Sequence, residues 1–214
     1  MDARQLRKAE DELFARWSES RERFYKDGAG RLFTKQPVRV LFLLKEGNDP
    51  SGEFVAAYDI RDLLSEPQSL NTWKNVAQWV ALVLDGAGWS EVEYLDRESM
   101  LKYLERIAAM NLKKTSGAST AKSPELWKHA VEDSSFILEQ IRLYRPHVTV
   151  ACGTAGYLEA IDPDISVEQS LTSPHRDLGR IVKLRHPSRG SPKKMYDELA
   201  QLITPLRKAL LNQP

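Results

Sequence analysis

Cysteine is nearly absent from this chain: Cys152 is the only one in 214 residues. A lone thiol excludes an internal disulfide, a thiolate zinc site and a self-contained iron–sulfur cluster. Histidine is scarce as well, at four, and no ligand cluster accompanies His175 or His186, so no metal is expected. No apolar run reaches the roughly 18 residues that a membrane span requires. The opening stretch, MDARQLRKAEDELFARW, interleaves charges with apolar residues and lacks the unbroken hydrophobic core of a signal peptide. Together these absences predict a cytoplasmic protein that works without a cofactor.

What is present is an ordinary globular composition, 42% apolar and 29% charged, in a chain long enough to bury a real core as a single domain, 1–214. The net charge of +1 conceals an asymmetry. Residues 1–107 carry 16 Lys/Arg against 19 Asp/Glu, whereas residues 108–214 carry 15 against 11. Within 176–194 stand seven cations (Arg176, Arg180, Lys183, Arg185, Arg189, Lys193, Lys194) and one anion, Asp177. A local field of that kind attracts polyanions whatever the global charge.

Periodicity supplies the elements. Leu6, Leu13, Phe14, Trp17 and Phe24 predict an amphipathic N-terminal helix over 3–26, stopped by KDGAGR. VRVLFLLKE (38–46) is almost wholly apolar and bounded by Pro37 and Gly47, the mark of a strand buried on both faces. A helix follows over 72–85. Residues 99–112 begin as a helix and end as an apolar strand. A long helix spans 123–146, with Ser123 as N-cap and Pro124 at the first helical position. HVTVACGT (147–154) is the third buried strand, followed by a helix over 155–162. RIVKLRHPS (180–188) is the fourth, and a closing helix covers 193–211, interrupted near Pro205. Alternating strands and helices predict an α/β fold, a three-layer αβα sandwich with a mainly parallel four-stranded central sheet. Trp73, Trp79, Trp127 and Cys152 are expected in the core, and His175 with Arg176 on the surface.

In such sheets ligands bind beyond the carboxyl ends of the strands. The segments there are KEGNDPSGEF, NLKKTSG, CGTAG and HPSRGS. Each alone is ordinary turn chemistry. Together they offer a carboxylate, a carboxamide, an imidazole and an aromatic. That set suits holding an extruded base and breaking its bond to the sugar. An amide reads a base edge, an aromatic stacks on its face, a carboxylate orients water, and an imidazole donates to the departing base.

These segments, in this order over about residues 38–200, resemble the uracil-DNA glycosylase superfamily. VLFLLKEGNDPSGE is similar to that family's hydrophobic strand followed by G-Q-D-P-Y. GEFVAAYDIRDLL (52–64) resembles the G-x-P-F-V-G-x-A-G-x-L-L of its iron–sulfur branch. SLNTWKNVAQWV (69–80) is similar to its S-L-K-N-I helix, and IAAMNLKK (107–114) to the strand that ends in a base-reading Asn. VTVACGTAGYLEAI (148–161) resembles the I-V-A-L-G-x-x-A turn, and RHPSRGSP (185–192) the H-P-S-P-x-S loop that enters the minor groove.

The resemblance implies a monofunctional DNA glycosylase acting on DNA, single- or double-stranded, as a monomer and without a cofactor. No Lys stands at a family position able to form the Schiff base that strand cleavage needs. The implied catalytic set is Asp49 or Glu46 for water, with Asn48 a further candidate, and His186 for the leaving base. The implied base-binding set is Phe54, Asn111, Tyr58 and Gly47. Ser188, Arg189, Ser191, Lys193, Lys194, Arg185, Lys113 and Lys114 would contact DNA.

This sequence departs from the family where strict uracil enzymes carry a Tyr wall: Ser51 and Gly52 stand there. Arg189 takes the place of the intercalating Leu, and the iron–sulfur cysteines are missing. A pocket without that wall admits uracil, a damaged base or a bulky phage-type modified pyrimidine. The setting would then be DNA repair or anti-phage defence, in a bacterial or phage-encoded, nucleoid-associated enzyme. Two other readings stay open: a non-catalytic DNA-binding module, and a nucleoside or nucleotide hydrolase on the same sheet.

Overall fold

The structure, a computed structural model, describes residues 1–19, 21, 23–48, 59–66, 71–117 and 123–212. Helix α1 (Ala3–Ser18) opens with a capping box in which Asp2 and Gln5 exchange side-chain and backbone hydrogen bonds. It ends eight residues before the expected 26. The KDGAGR segment then supplies an unexpected strand, β1 (Gly28–Ala29). No apolar run signals this strand. Gly28 has φ 145°, and a Cβ there would collide with the Glu10 carboxylate, so a glycine is required.

Strand β2 (Val40–Leu44) is fully buried, and β3 (Gly47–Asn48) follows it. Then come α2 (Ile60–Leu63), α3 (Asn71–Val80) continued by a π-helical turn Ala81–Asp85, α4 (Trp89–Val92), α5 (Arg97–Leu104), β4 (Ala108–Asn111) and β5 (Ser116–Gly117). The helix expected over 123–146 is two, α6 (Ser123–Glu132) and α7 (Ser134–Tyr144). The break falls at Asp133, whose buried carboxylate pairs with Arg21. Strand β6 (Val148–Cys152), α8 (Ala155–Ile161), β7 (Arg180–Leu184) and α9 (Pro192–Leu211) complete the chain. Pro205 sits inside α9 without ending it.

The four expected strands pair in parallel, in the order β4-β2-β6-β7, and β1 adds to β4 antiparallel. The sheet is therefore five-stranded and mixed rather than four-stranded. Helices cover both of its faces. Val40, Phe42 and Leu44 point into a core with Trp73, Trp79 and Leu199 from α3 and α9. Leu41 and Leu43 point the other way, into a core with Phe14, Ile137 and Leu158 from α1, α7 and α8. This is why β2 reads as continuously apolar: period-two alternation vanishes when both faces are dry.

The chain crosses from β2 to β4 on one side and from β6 to β7 on the other. Neighbours β2 and β6 thus send their connections apart, and the crevice between their carboxyl ends is the topological switch point of the sheet.

Candidate functional site

The residues just past β2, β6 and β7 meet at that crevice. Gly153, directly after β6, has φ 71°, and its N–H donates to the Leu184 carbonyl of β7 (2.7 Å). Because position 153 has no side chain, the Lys45 side chain lies over it: a Cβ there would stand 3.3 Å from Lys45 Cε and 3.6 Å from the His186 backbone nitrogen. Thr154 ties the same corner to β2 by donating Oγ1–H to the Leu43 carbonyl (2.9 Å). Lys45 and His186 are thus neighbours at the switch point.

His186 is held in a tight turn. The Arg189 N–H donates to the His186 carbonyl (2.9 Å), with Pro187 at the position whose φ its ring presets. Asn75 of α3 donates Nδ2–H to the Pro187 carbonyl (2.6 Å) and fixes the loop from below. The Ser188 N–H points at His186 Nδ1 (3.3 Å), and the Ser188 hydroxyl lies 2.9 Å from the same atom. A backbone N–H can only donate, so Nδ1 accepts and the ring proton sits on Nε2. Burial, then the charges of Lys45 and Arg189, push the imidazole pKa down to about 4. At neutral pH this is an uncharged ring with a single N–H donor, backed by a nearby ammonium. Such a pair stabilises negative charge that develops on a bound group.

Farther along the edge, the loops after β2 and β4 are joined. Leu112 and Lys113 donate to the carbonyls of Leu44 and Lys45 (3.0 Å each), and β3 pairs in parallel with β5. Glu46 accepts from Lys113 Nζ (3.0 Å) and packs against Gly117, where any Cβ would strike its carboxylate. Both side chains of this pair are only 6% exposed. Burial opposes the Lys113 charge, but hydrogen bonds and charges from Glu125 and Glu46 outweigh it and hold the ammonium protonated. Glu46 therefore serves as a strut between two strand ends.

Asn111 closes β4 opposite Leu44 and is 2% exposed; its N–H donates to Asp27 Oδ2 (2.7 Å). Among the described residues no partner meets its carboxamide. β4 and β7 are three strand spacings apart, ~14 Å, so Asn111 and His186 do not touch, but a ligand lying across β2 and β6 can reach both.

The cationic loop is exposed as expected at Arg185, Ser188, Arg189, Ser191, Lys193 and Lys194. Lys193 shares its charge with Asp197 one helical turn on. Two of the expected phosphate contacts are corrected. Lys114 is wholly buried, paired with Asp27 and donating to Gln140 Oε1 (2.8 Å), out of reach of any phosphate. Lys113 is buried by its two carboxylates. Trp73, Trp79 and Cys152 are core residues, but Trp127 is 48% exposed and leans on Tyr157. His175 is half-buried and pairs with Gly179 at the amino end of β7, away from His186. Asp49, Ser51, Gly52, Phe54 and Tyr58 lie outside the described residues, and Asn48 pairs with Gly117 through its backbone.

Sequence reasoning missed Lys45, Asn75 and Asp27. Lys45 carried a usable signal, being the first residue past the most apolar run at the central strand's end. Asn75 and Asp27 carried none, because each acts through a contact about a hundred residues away in sequence. No protein-family model matches this chain, and no curated protein matches it.

Proposed function

We propose that this protein is a monofunctional DNA glycosylase with a uracil-DNA glycosylase-like fold, which flips a non-standard base and hydrolyses its N-glycosidic bond. The observation that carries the reading is the neutral His186, with its proton on Nε2, beside Lys45 at the switch point. In this mechanism Asp49 orients a water that attacks C1′ and takes the water's proton. The C1′–N bond breaks and its electron pair leaves with the base. The His186 Nε2–H donates to the base as negative charge builds there, and Lys45 raises the local potential. Asn111 reads the base edge and Phe54 stacks on its face. Flipping costs a few kcal/mol, less for a mispaired base. Lys45 acts as a fixed charge, so the abasic strand stays uncut. The exposed cations at 185, 189, 193 and 194 grip phosphates. The cellular role is repair of damaged DNA or defence against phages with modified bases, in a cytoplasmic monomer.

The test incubates the protein with duplexes and single strands carrying uracil, hypoxanthine, oxidised bases, and hydroxymethylated or glucosylated cytosine. Released bases and alkali-labile sites are scored by mass spectrometry, with His186→Ala as control. Release of one base, lost in the variant, establishes the reaction and the substrate. Borohydride should trap no protein–DNA adduct; an adduct lost in Lys45→Met would make the enzyme a lyase as well.

The Glu46–Lys113 salt bridge favours one rival, because it occupies a carboxylate the chemistry would otherwise use. A non-catalytic DNA-binding module would bind DNA, release nothing, and be indifferent to Asp49→Asn.

A further inference from the structure

Beside the His186 loop, and distinct from the switch point, lies a groove of about 520 Å³ between α3, the end of α4 and the 188–193 loop. Its volume is that of a small-molecule site. Its floor carries an unmet demand. Gln78 is 1% exposed; its Nε2–H donates to the carbonyls of Val92 (3.0 Å) and Glu93 (3.4 Å), yet its Oε1 has no partner among the described residues. A buried acceptor left unpaired costs about 1–3 kcal/mol, which an N–H donor reaching it through a small shift of the Gln78 side chain would recover. At the rim stands Tyr94, 84% exposed, a large aromatic surface left in water. Trp89 forms part of the wall, edge-on to Tyr196 and beneath Lys193 Nζ (6.0 Å). Lys74 and Lys193 bring positive charge and Glu93 a negative one, so the walls select by stacking more than by net charge.

We propose that this groove is a subsite for an unpaired nucleotide of the bound DNA strand, flanking the extruded base. The inference rests on the reading of the switch point as a DNA site, since one loop walls both places. An unpaired base offers the three things the groove lacks: a flat face for Tyr94, ring or exocyclic N–H groups for Gln78, and a phosphate for Lys74 and Lys193. A base still paired in a duplex has its N–H donors engaged, so the groove favours single-stranded or locally opened DNA.

The experiment measures binding of an unmodified single-stranded oligonucleotide and of its duplex to wild type, Tyr94→Ala and Tyr94→Phe, with base release assayed in parallel. Tyr94 is exposed, so its variants fold; thermal melting verifies this. Tyr94→Ala is expected to weaken single-strand binding about tenfold, the scale of one base–aromatic stack. Tyr94→Phe keeps the affinity, and duplex binding does not change. An iodouracil-bearing single strand is expected to photocrosslink at Tyr94 or Trp89. Equal binding by wild type and Tyr94→Ala, or equal weakening for strand and duplex, overturns the subsite. If base release is intact while Tyr94→Ala has no effect, the subsite alone fails. If Tyr94→Ala has its effect but no base is ever released, only the glycosylase reading fails. Failure of wild type to bind either DNA overturns both.

Discussion

Lys45 and Lys114 stand just beyond the carboxyl ends of adjacent parallel strands, and their fates are opposite. Lys45 is half-buried, lies over Gly153, and meets no carboxylate among the described residues. Lys114 is fully buried between Asp27 and Gln140, with its ammonium 4.8 Å from the Trp17 ring centre. Gln140 also donates to Asp27 and to the Tyr144 hydroxyl (2.7 Å each), and the Tyr25 N–H meets the Lys114 carbonyl. What separates the two lysines is what the neighbouring segment brings. Helix α1 and strand β1 close over the β4 end and carry an aspartate to Lys114, whereas nothing described closes over the crevice between β2 and β6. A strand-end position gives a cation the opportunity to act on a ligand, and the covering element decides whether it does.

Breaking the buried pair should produce the largest effect. Asp27→Ala leaves the Lys114 ammonium buried without its anion and also orphans the Asn111 N–H, so a loss of roughly 3–5 kcal/mol is expected in urea unfolding. Replacing both partners, Asp27→Leu with Lys114→Met, should recover the part due to the unpaired buried charge, while the Asn111 N–H still lacks its acceptor. Lys45→Met, by contrast, should leave stability within about 0.5 kcal/mol of wild type. Equal destabilisation by Lys45→Met and Lys114→Met would erase the distinction.

On the proposed glycosylase reading, the next effect in size falls on base release, at the crevice between β2 and β6. His186→Ala should lower base release about 10²–10³-fold while DNA binding persists, the range for removal of one preorganised donor. Its titration gives a further check. With a folded pKa of about 4 against an ordinary 6.5, the unfolded chain binds more protons between those values. This histidine's contribution to stability therefore rises with pH from 4 to 6.5, is complete above that window and is lost as pH falls through it. Release should be insensitive to His186 ionisation above about pH 5. Lys45→Met removes one of the charges that depress the imidazole, so the His186 resonance should titrate at a higher pH in that variant. An unchanged midpoint would separate Lys45 from the site.

How much of this was readable beforehand follows the same division. Strands β2, β4 and β6 were legible because burial on both faces writes an unmistakable apolar run, as in Val40–Leu44. The two-residue β1 was not, since Gly28–Ala29 is defined by a backbone angle and by Glu10 reaching across from α1. The exposure of Arg185, Arg189, Lys193 and Lys194 was legible because charge beside Pro and Gly marks a solvated turn. Lys113 and Lys114 misled because nothing local says that Glu46, Glu125 and Asp27 will reach them. Trp127 misled in the other direction: helical spacing places it on α6 but cannot say that this face stays open.

The smallest expected effect tests the outer rim of the open end. Arg189 and Lys194 are exposed, and a cation on a phosphate acts mainly by releasing counterions. Lys194→Ala should reduce the slope of log affinity against log salt by about one unit and weaken binding alike for all sequences. Arg189→Ala should do the same, and the His186 resonance should titrate at a higher pH in that variant, because Arg189 is one of the charges that depress the imidazole. Lys114→Met, in whatever fraction stays folded, should leave the salt slope untouched, since that ammonium never meets solvent or phosphate. A slope that falls equally for Lys114 and Lys194 would mean that the buried lysine reaches DNA after all, and that α1 and β1 move aside when it binds.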